Sequence, residues 1–224
     1  MGPYSRYRIA VYPFSYFKLK MVRALVVDDH PVIREGVINA LAEANIEVVA
    51  QAGSRAQARA QIASFNPDLL IMDLHLPDGD CLDLILWVRG ISKTAAIVVF
   101  TLEDDPNYLL AAAKAGASGY VSKSAPISEL VESARHALVS PLAFSASNLL
   151  SAINFESNKP VLSVRELEVV ERLARGWSAN QIAQDLFLST ATIKSHVASL
   201  YRKLECSNKT SAVTKANSLG LIKI

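Results

Sequence analysis

Cysteine is scarce in this 224-residue chain: only Cys81 and Cys206 occur, and they form no CxxC pair. Neither a disulfide framework nor a thiolate metal site is indicated, and a reducing cytoplasm suits the chain. Long apolar runs are also missing. Ala95–Thr101 and Tyr108–Ala113 are short and interrupted by charge, well below the roughly 18 residues of a membrane span, so no membrane partner is expected. The first twenty residues, MGPYSRYRIAVYPFSYFKLK, carry four basic residues and no acidic one. They lack the continuous apolar stretch and small-residue cleavage site of a secretory signal. Residues 1–20 read as a poorly ordered upstream extension or a mis-set start, with a targeting peptide or a basic arm as alternatives. Net charge is small at +2, but it hides an asymmetry. Met21–Val139 holds nine basic and fifteen acidic residues, whereas Pro160–Ile224 holds nine and five. The first part suits cations or phosphoryl chemistry and the second suits a polyanion.

What is present is a regular alternation. ALVVDD, IEVVA, DLLIMD, AAIVVF and SGYVS are strand candidates, separated by helical patterns at Val32–Ala44, Ser54–Phe65, Cys81–Val88, Pro106–Ala115 and Ser128–Val139. Near-continuous apolar strands between amphipathic helices predict an α/β doubly wound, five-stranded parallel sheet over residues 21–139, with ligands outside the carboxyl ends of the strands. Residues 140–160 are rich in Ser and Asn, poor in charge and read as a linker, with a short helix expected at Ala143–Ile153. After it the pattern is helical only, at Val164–Arg175, Ala179–Asp185, Thr190–Leu204 and Thr210–Leu219. Ser163 followed by Glu166 has capping-box spacing. Residues 161–224 are therefore expected to form a small all-α domain.

Asp28 and Asp29 end the first strand and Asp73 ends the third. These strands are neighbours in a doubly wound sheet, so the three carboxylates converge. Like charges a few ångströms apart repel by roughly 4 kcal/mol per pair at an effective dielectric near 20. A hard divalent ion such as magnesium relieves that repulsion with oxygen ligands. Thr101 and Lys123 sit at two further strand ends, where a hydroxyl and an ammonium can hold the oxygens of a phosphoryl group on Asp73. An Asp-Asp pair taken alone is more simply a helix cap. A haloacid-dehalogenase-type phosphatase would need a second Asp two residues after Asp73, and His75 stands there instead.

Together VVDDHP, DLHLPDG, the Thr after AAIVVF and GYVSK resemble the receiver domain of two-component response regulators over Met21–Val139. The resemblance implies a flavodoxin-like strand order 2-1-3-4-5 and no enzymatic turnover beyond receiver phosphorylation and dephosphorylation. It implies that Asp73 takes a phosphoryl group from a sensor histidine kinase. Asp28, Asp29 and the His75 carbonyl then complete a magnesium site with Asp73, Lys123 pairs with the phosphoryl oxygens, and Thr101 and Tyr120 form a switch pair. Many receivers have Lys-Pro where this chain has Lys123-Ser124, which leaves the geometry of that loop open.

In the C-terminal part, Ile182, Ala183 and Leu186 face Ile193, Val197 and Leu200 across the short connection Phe187-Leu188. Ser189 or Thr190 can cap the helix that follows, and Gly176 suits the end of the helix before. The segment Leu162–Val213 resembles the LuxR-type helix-turn-helix of the NarL/FixJ regulator family. By that resemblance Lys194, Ser195 and Ala198 are base readers in double-stranded DNA, and Thr190, Thr192 and Lys203 meet phosphates, with Arg202 further along the same face. A phosphorylation-dependent homodimer, with Thr210–Leu219 as its contact on DNA, is also implied. Rival readings are a constitutive DNA binder whose receiver is only a dimerisation or ligand-sensing module and an interaction bundle with no DNA role.

Overall fold

The computed structural model describes residues 21–222. The expectation made for Met1–Lys20 lies outside the described residues.

The chain starts with strand β1 (Val22–Val27), whose last four residues are buried. Helix α1 (Pro31–Glu43) follows, opened by Pro31, where a missing N–H costs nothing. Strand β2 (Ile46–Ala52), helix α2 (Arg55–Phe65) and strand β3 (Leu69–Met72) come next. A short antiparallel hairpin, β4 (His75–Leu76) and β5 (Gly79–Asp80), leads into α3 (Leu82–Ile91). Then come β6 (Ala96–Thr101), α4 (Pro106–Ala115), β7 (Gly119–Ser122) and α5 (Ile127–Val139).

Side chains alternate between the two faces of the sheet, and both faces are apolar. Leu25, Val27, Leu70, Met72, Ile97 and Val99 pack against buried residues of α2, α3 and α4. Ala24, Val26, Leu69, Ile71, Ala96 and Val98 pack against Val37 and Leu41 of α1 and Leu130 and Ala134 of α5. A strand apolar on both sides needs a helix layer on each face, which is why the sequence reads as uninterrupted valine, leucine and isoleucine.

The strand order is β2-β1-β3-β6-β7, with a sixth strand added beyond β7 and every neighbouring pair parallel. Its first five members follow the expected 2-1-3-4-5 order. The sixth strand, β8 (Ser145–Ala146), departs from the five-stranded expectation and comes from the segment read as linker. Two paired residues, Gly119 with Ser145 and Tyr120 with Ala146, carry too little hydrophobic pattern to be seen in sequence. Helix α6 (Leu149–Ser157) lies later than the expected Ala143–Ile153, because β8 occupies the first part of that stretch.

Arg89 fastens this linker to the sheet domain. It is 7% exposed and donates to the carbonyls of Gly116, Ala95 and Pro141 at 2.5, 2.6 and 2.8 Å, and to Ser118 Oγ at 2.9 Å. Gly116 closes α4 with φ +97, and a Cβ there would stand 2.7 Å from Arg89 Cγ. Both the backbone angle and the arginine require glycine at this point.

The remaining helices are α7 (Val164–Ala174), α8 (Ala179–Asp185), α9 (Thr190–Leu204) and α10 (Lys209–Ser218), around a separate core that includes Val169, Ile182, Ile193, Leu200 and Ala212. Ser163 and Glu166 form the expected capping box, and Ser178 with Gln181 forms a second. Glu166, 4% exposed, also accepts from Lys203 Nζ at 2.7 Å and Ser199 Oγ at 2.8 Å. Burial alone would raise its carboxyl, but Lys203, the Ser163 N–H and Ser199 hold it down at about 2. A folded-state value depressed from 4.5 gives stability that is fully present above that pH and is lost as pH falls toward 2. Glu166 is thus expected to contribute on the order of 3 kcal/mol at neutral pH. Urea unfolding of a Glu166→Gln variant should show lower stability at pH 7 and a flatter decline between pH 5 and 3 than the parent. Equal slopes would remove this assignment.

Candidate functional site

Three loops at the carboxyl ends of β1, β3 and β7 bring together Asp28, Asp73 and Lys123. Lys123 Nζ lies 2.6 Å from Asp28 Oδ2 and 2.6 Å from Asp73 Oδ2, with all three side chains under 10% exposed. Burial works against the ammonium, but hydrogen bonds and attraction from the two carboxylates outweigh it and hold Lys123 above the ordinary lysine range. Every peptide bond among the described residues is trans, including that after Lys123, so the Lys-Ser sequence is accommodated without a cis bond.

Asp29 stands at the rim with a 30% exposed side chain. Its Oδ1 is buried without a hydrogen-bond partner, because His30 Nδ1 approaches to 2.7 Å but not with hydrogen-bonding geometry. Asp28, Asp29, His30 and Asp73 offer ligand atoms within 4.8 Å of one another. An orphaned carboxylate oxygen beside two buried carboxylates suits a hard cation with oxygen ligands.

Thr101 is 1% exposed at the end of β6, and its Oγ1 accepts from Glu103 N at 3.3 Å. Tyr120 is 3% exposed with its ring in the core, and its hydroxyl donates to the Glu103 carbonyl at 2.6 Å. Burial pushes the Tyr120 phenol well above its ordinary value, with nearby Glu103 adding to the shift, so it remains a neutral donor. His75 has its amide 3.4 Å from Asp73 Oδ1, while its ring lies 3.3 Å from Glu103 Oε2 and edge-on to Tyr108. Two residues in this arrangement were not singled out from sequence. His30 adjoins the acidic pair, and Glu103 joins His75, Thr101 and Tyr120; Glu103 opens the acidic run Glu103-Asp104-Asp105, which in sequence reads as no more than a solvated loop.

In the C-terminal domain α9 is capped by Ser189, whose Oγ accepts from Thr192 N at 3.0 Å. Lys194, Ser195, Ala198 and Arg202 are exposed on α9. Thr190 Oγ1 donates to Asn180 Oδ1 at 3.1 Å, and Thr192 Oγ1 lies 2.8 Å from Ser189 Oγ. Arg202 Nη2 donates to Ser199 Oγ at 3.4 Å. Lys203 is engaged with Glu166 and with the Val161 carbonyl at 3.0 Å. The seven predicted positions therefore share one helix, but only Lys194, Ser195 and Ala198 present side chains clear of the domain's own polar network.

Residues 24–135 match the family described as response regulator receiver domain, and residues 160–216 match the luxR family of bacterial regulatory proteins. The chain belongs to the response-regulator family. The regulator is 32% identical over 207 residues to a probable transcriptional regulatory protein NarL of Mycobacterium tuberculosis, covering 87% of this chain and 93% of that relative. It is similar to a structure of the RcsB response regulator of Salmonella typhimurium, with TM-score 0.73, 25% identity and coverage of 88% and 99%. It also resembles an RcsB–DNA complex, with TM-score 0.65, 25% identity and coverage of 88% and 98%. The regulator is a two-domain transcriptional response regulator, not an enzyme beyond the receiver's own phosphoryl chemistry. Receiver domains bind magnesium at an acidic pocket, and the regulator has such a cluster in Asp28, Asp29 and Asp73. Among the described residues no helix is long and apolar enough to cross a membrane.

Replacing Lys123 by Met leaves two buried carboxylates facing each other without a cation. Removal of one partner from a buried ionic group typically costs about 3 kcal/mol or more. Denaturant titration in metal-free buffer at pH 7 should show a loss of that order for Lys123→Met. An unchanged midpoint would mean that the pocket tolerates its charge without the lysine.

Proposed function

We propose that Asp73 is the phosphoacceptor of this regulator and that its phosphorylation by a sensor histidine kinase controls promoter binding through α9. The observation that carries the reading is Lys123 Nζ held 2.6 Å from Asp73 beside a second buried carboxylate. A carboxylate at this position is a competent nucleophile. One Asp73 oxygen attacks phosphorus, the bond to the donor imidazole nitrogen breaks, and an acyl phosphate forms. Lys123 then exchanges its contact with the Asp73 oxygen for one with a phosphoryl oxygen. Thr101 turns its hydroxyl toward the same group, and the Tyr120 ring fills the space beside it.

The residues that would hold magnesium are Asp28, Asp29, Asp73 and the His75 carbonyl, and the orphaned Asp29 oxygen fits that role. When bound, the ion neutralises charge on the transferring group. In the reader, Lys194 meets guanine acceptors and Ala198 a thymine methyl, with Ser195 beside them. Thr190, Thr192, Arg202 and Lys203 meet phosphates, which requires each of them to share or exchange its present partner. Two readers pair through α10 on DNA, so that each takes a half-site one helical turn from the other. A cytoplasmic location agrees with these partners.

Intact-protein mass after incubation with magnesium and a small phosphodonor tests the acceptor. A single phosphoryl adduct is expected in the parent, absent in Asp73→Asn and absent when magnesium is chelated. A folded parent that takes no adduct would instead favour a constitutive DNA binder.

A further inference from the structure

Beside α9, on the flank of its base-reading face, the reader carries a cleft of about 470 Å³. Helix α9 lines it with Lys194, Val197, Ala198 and Tyr201, one stripe at helical spacing. Leu173 near the end of α7 and Trp177 just before α8 form the facing wall, and Lys209 in the first turn of α10 completes the lining. Leu173, Trp177, Val197 and Tyr201 belong to the core of the domain or pack against it, so the contacts that hold the fold also fix these walls. Small residues leave the space open. Ala198 ends at its Cβ, and a Cβ placed on Gly176, also part of the lining, would meet nothing within 4 Å.

The charged groups in this lining, Lys194 and Lys209, are both cations, and no carboxylate faces them across the cleft. Lys209 Nζ donates to the Trp177 carbonyl at 3.2 Å, which leaves the ammonium with donors to spare. Neither lysine forms an ion pair among the described residues. A second cleft of the same volume, between α5 and the edge strand β8, is lined by Glu129 and Glu132 instead. Charge, not volume, therefore sets the reader's cleft apart. Mostly apolar walls with a few polar groups, enclosing roughly 300–1,000 Å³, are the usual form of a small-molecule site. An apolar ring matches Trp177 and Tyr201, and a carboxylate on that ring matches the two ammonium groups. A bare anion would leave the apolar walls unused, and a neutral ring would leave both lysines unused.

We propose that this cleft binds a small aromatic acid and that the bound acid keeps α9 out of DNA. The second half of the proposal rests on the reading of α9 as DNA reader; the first half does not. Lys194 and Ala198 are two of the three side chains assigned to base contact, and both line the cleft. An acid held there pairs with Lys194 and covers Ala198, so the groups that would meet guanine and thymine are already engaged. Acid and duplex are then mutually exclusive, and each lowers the apparent affinity of the other. Control of this kind reaches the reader directly, and it acts whether or not Asp73 carries a phosphoryl group.

The probe is 2-naphthoate, titrated into the full chain and followed by saturation-transfer NMR on the naphthoate protons. Binding is expected with a Kd on the order of 0.1–1 mM. The neutral analogue 2-naphthylmethanol should bind about two- to fivefold more weakly, and Lys209→Met should weaken naphthoate by a similar factor. Ala198→Leu extends an exposed helix position into the cleft without altering the core, and should weaken naphthoate about tenfold or more. No binding to the parent, or equal binding to Ala198→Leu, overturns the site. Displacement of naphthoate by an equal concentration of inorganic phosphate also overturns it, since that marks a plain anion site. Exclusion is tested by fluorescence anisotropy with a duplex selected from a random pool by the parent. Naphthoate at about ten times its Kd should raise the apparent Kd for the duplex about tenfold, in the parent and in Asp73→Asn alike. A duplex affinity unmoved by saturating naphthoate overturns the exclusion. If the parent binds no duplex at all, the reading of α9 fails, and the NMR titration still decides whether the cleft takes an aromatic acid.

Discussion

The structure of the receiver depends on placing two buried carboxylates, Asp28 and Asp73, around one buried ammonium, Lys123. Isolated, any of the three would be costly at the carboxyl edge of an apolar sheet, because moving an unpaired ion out of water carries a penalty of several kcal/mol. Together they are tolerable but not balanced. Asp29 at the rim adds a further negative group whose Oδ1 has no hydrogen-bond partner. The pocket therefore has an excess of negative charge with an opening toward solvent. Such an arrangement is poised to accept a cation and, with its help, a phosphoryl group.

Much of this is legible in the sequence because each element carries a physical signature longer than itself. Strand ends at VVDD, IMD, VVFT and YVSK mark where apolar runs stop. In a parallel sheet those stops lie along one edge, so the order of the runs is enough to bring Asp28, Asp73, Thr101 and Lys123 together. The helix-turn-helix is readable for the same reason: Ile182, Ile193 and Leu200 recur at helical spacing, and Ser163 with Glu166 announces a helix start.

What escapes such reading depends on single long-range contacts. Strand β8 is two residues long and exists because the β7 edge offers it a partner. Arg89 reads as an ordinary cation near a helix end, yet it is buried and ties three carbonyls and a serine together. Lys203 reads as an exposed phosphate contact, whereas Glu166, thirty-seven positions away, claims it. Glu103 lies in a stretch whose composition says only that it turns. Linker and receiver thus form one body through many weak contacts, while the reader meets them at few. Small interfaces of this kind leave relative motion as the default, which a regulator needs.

A phosphoryl group on Asp73 is expected to alter how α9 engages DNA, and every other part of the proposed switch serves that effect. Fluorescence-anisotropy titration of a selected duplex is the direct test, with the parent and Asp73→Asn each measured in magnesium with and without phosphodonor. The phosphodonor should shift the parent's apparent Kd and leave that of Asp73→Asn where it was. Identical curves for a parent shown by mass to be phosphorylated, with and without the modification, would contradict this coupling.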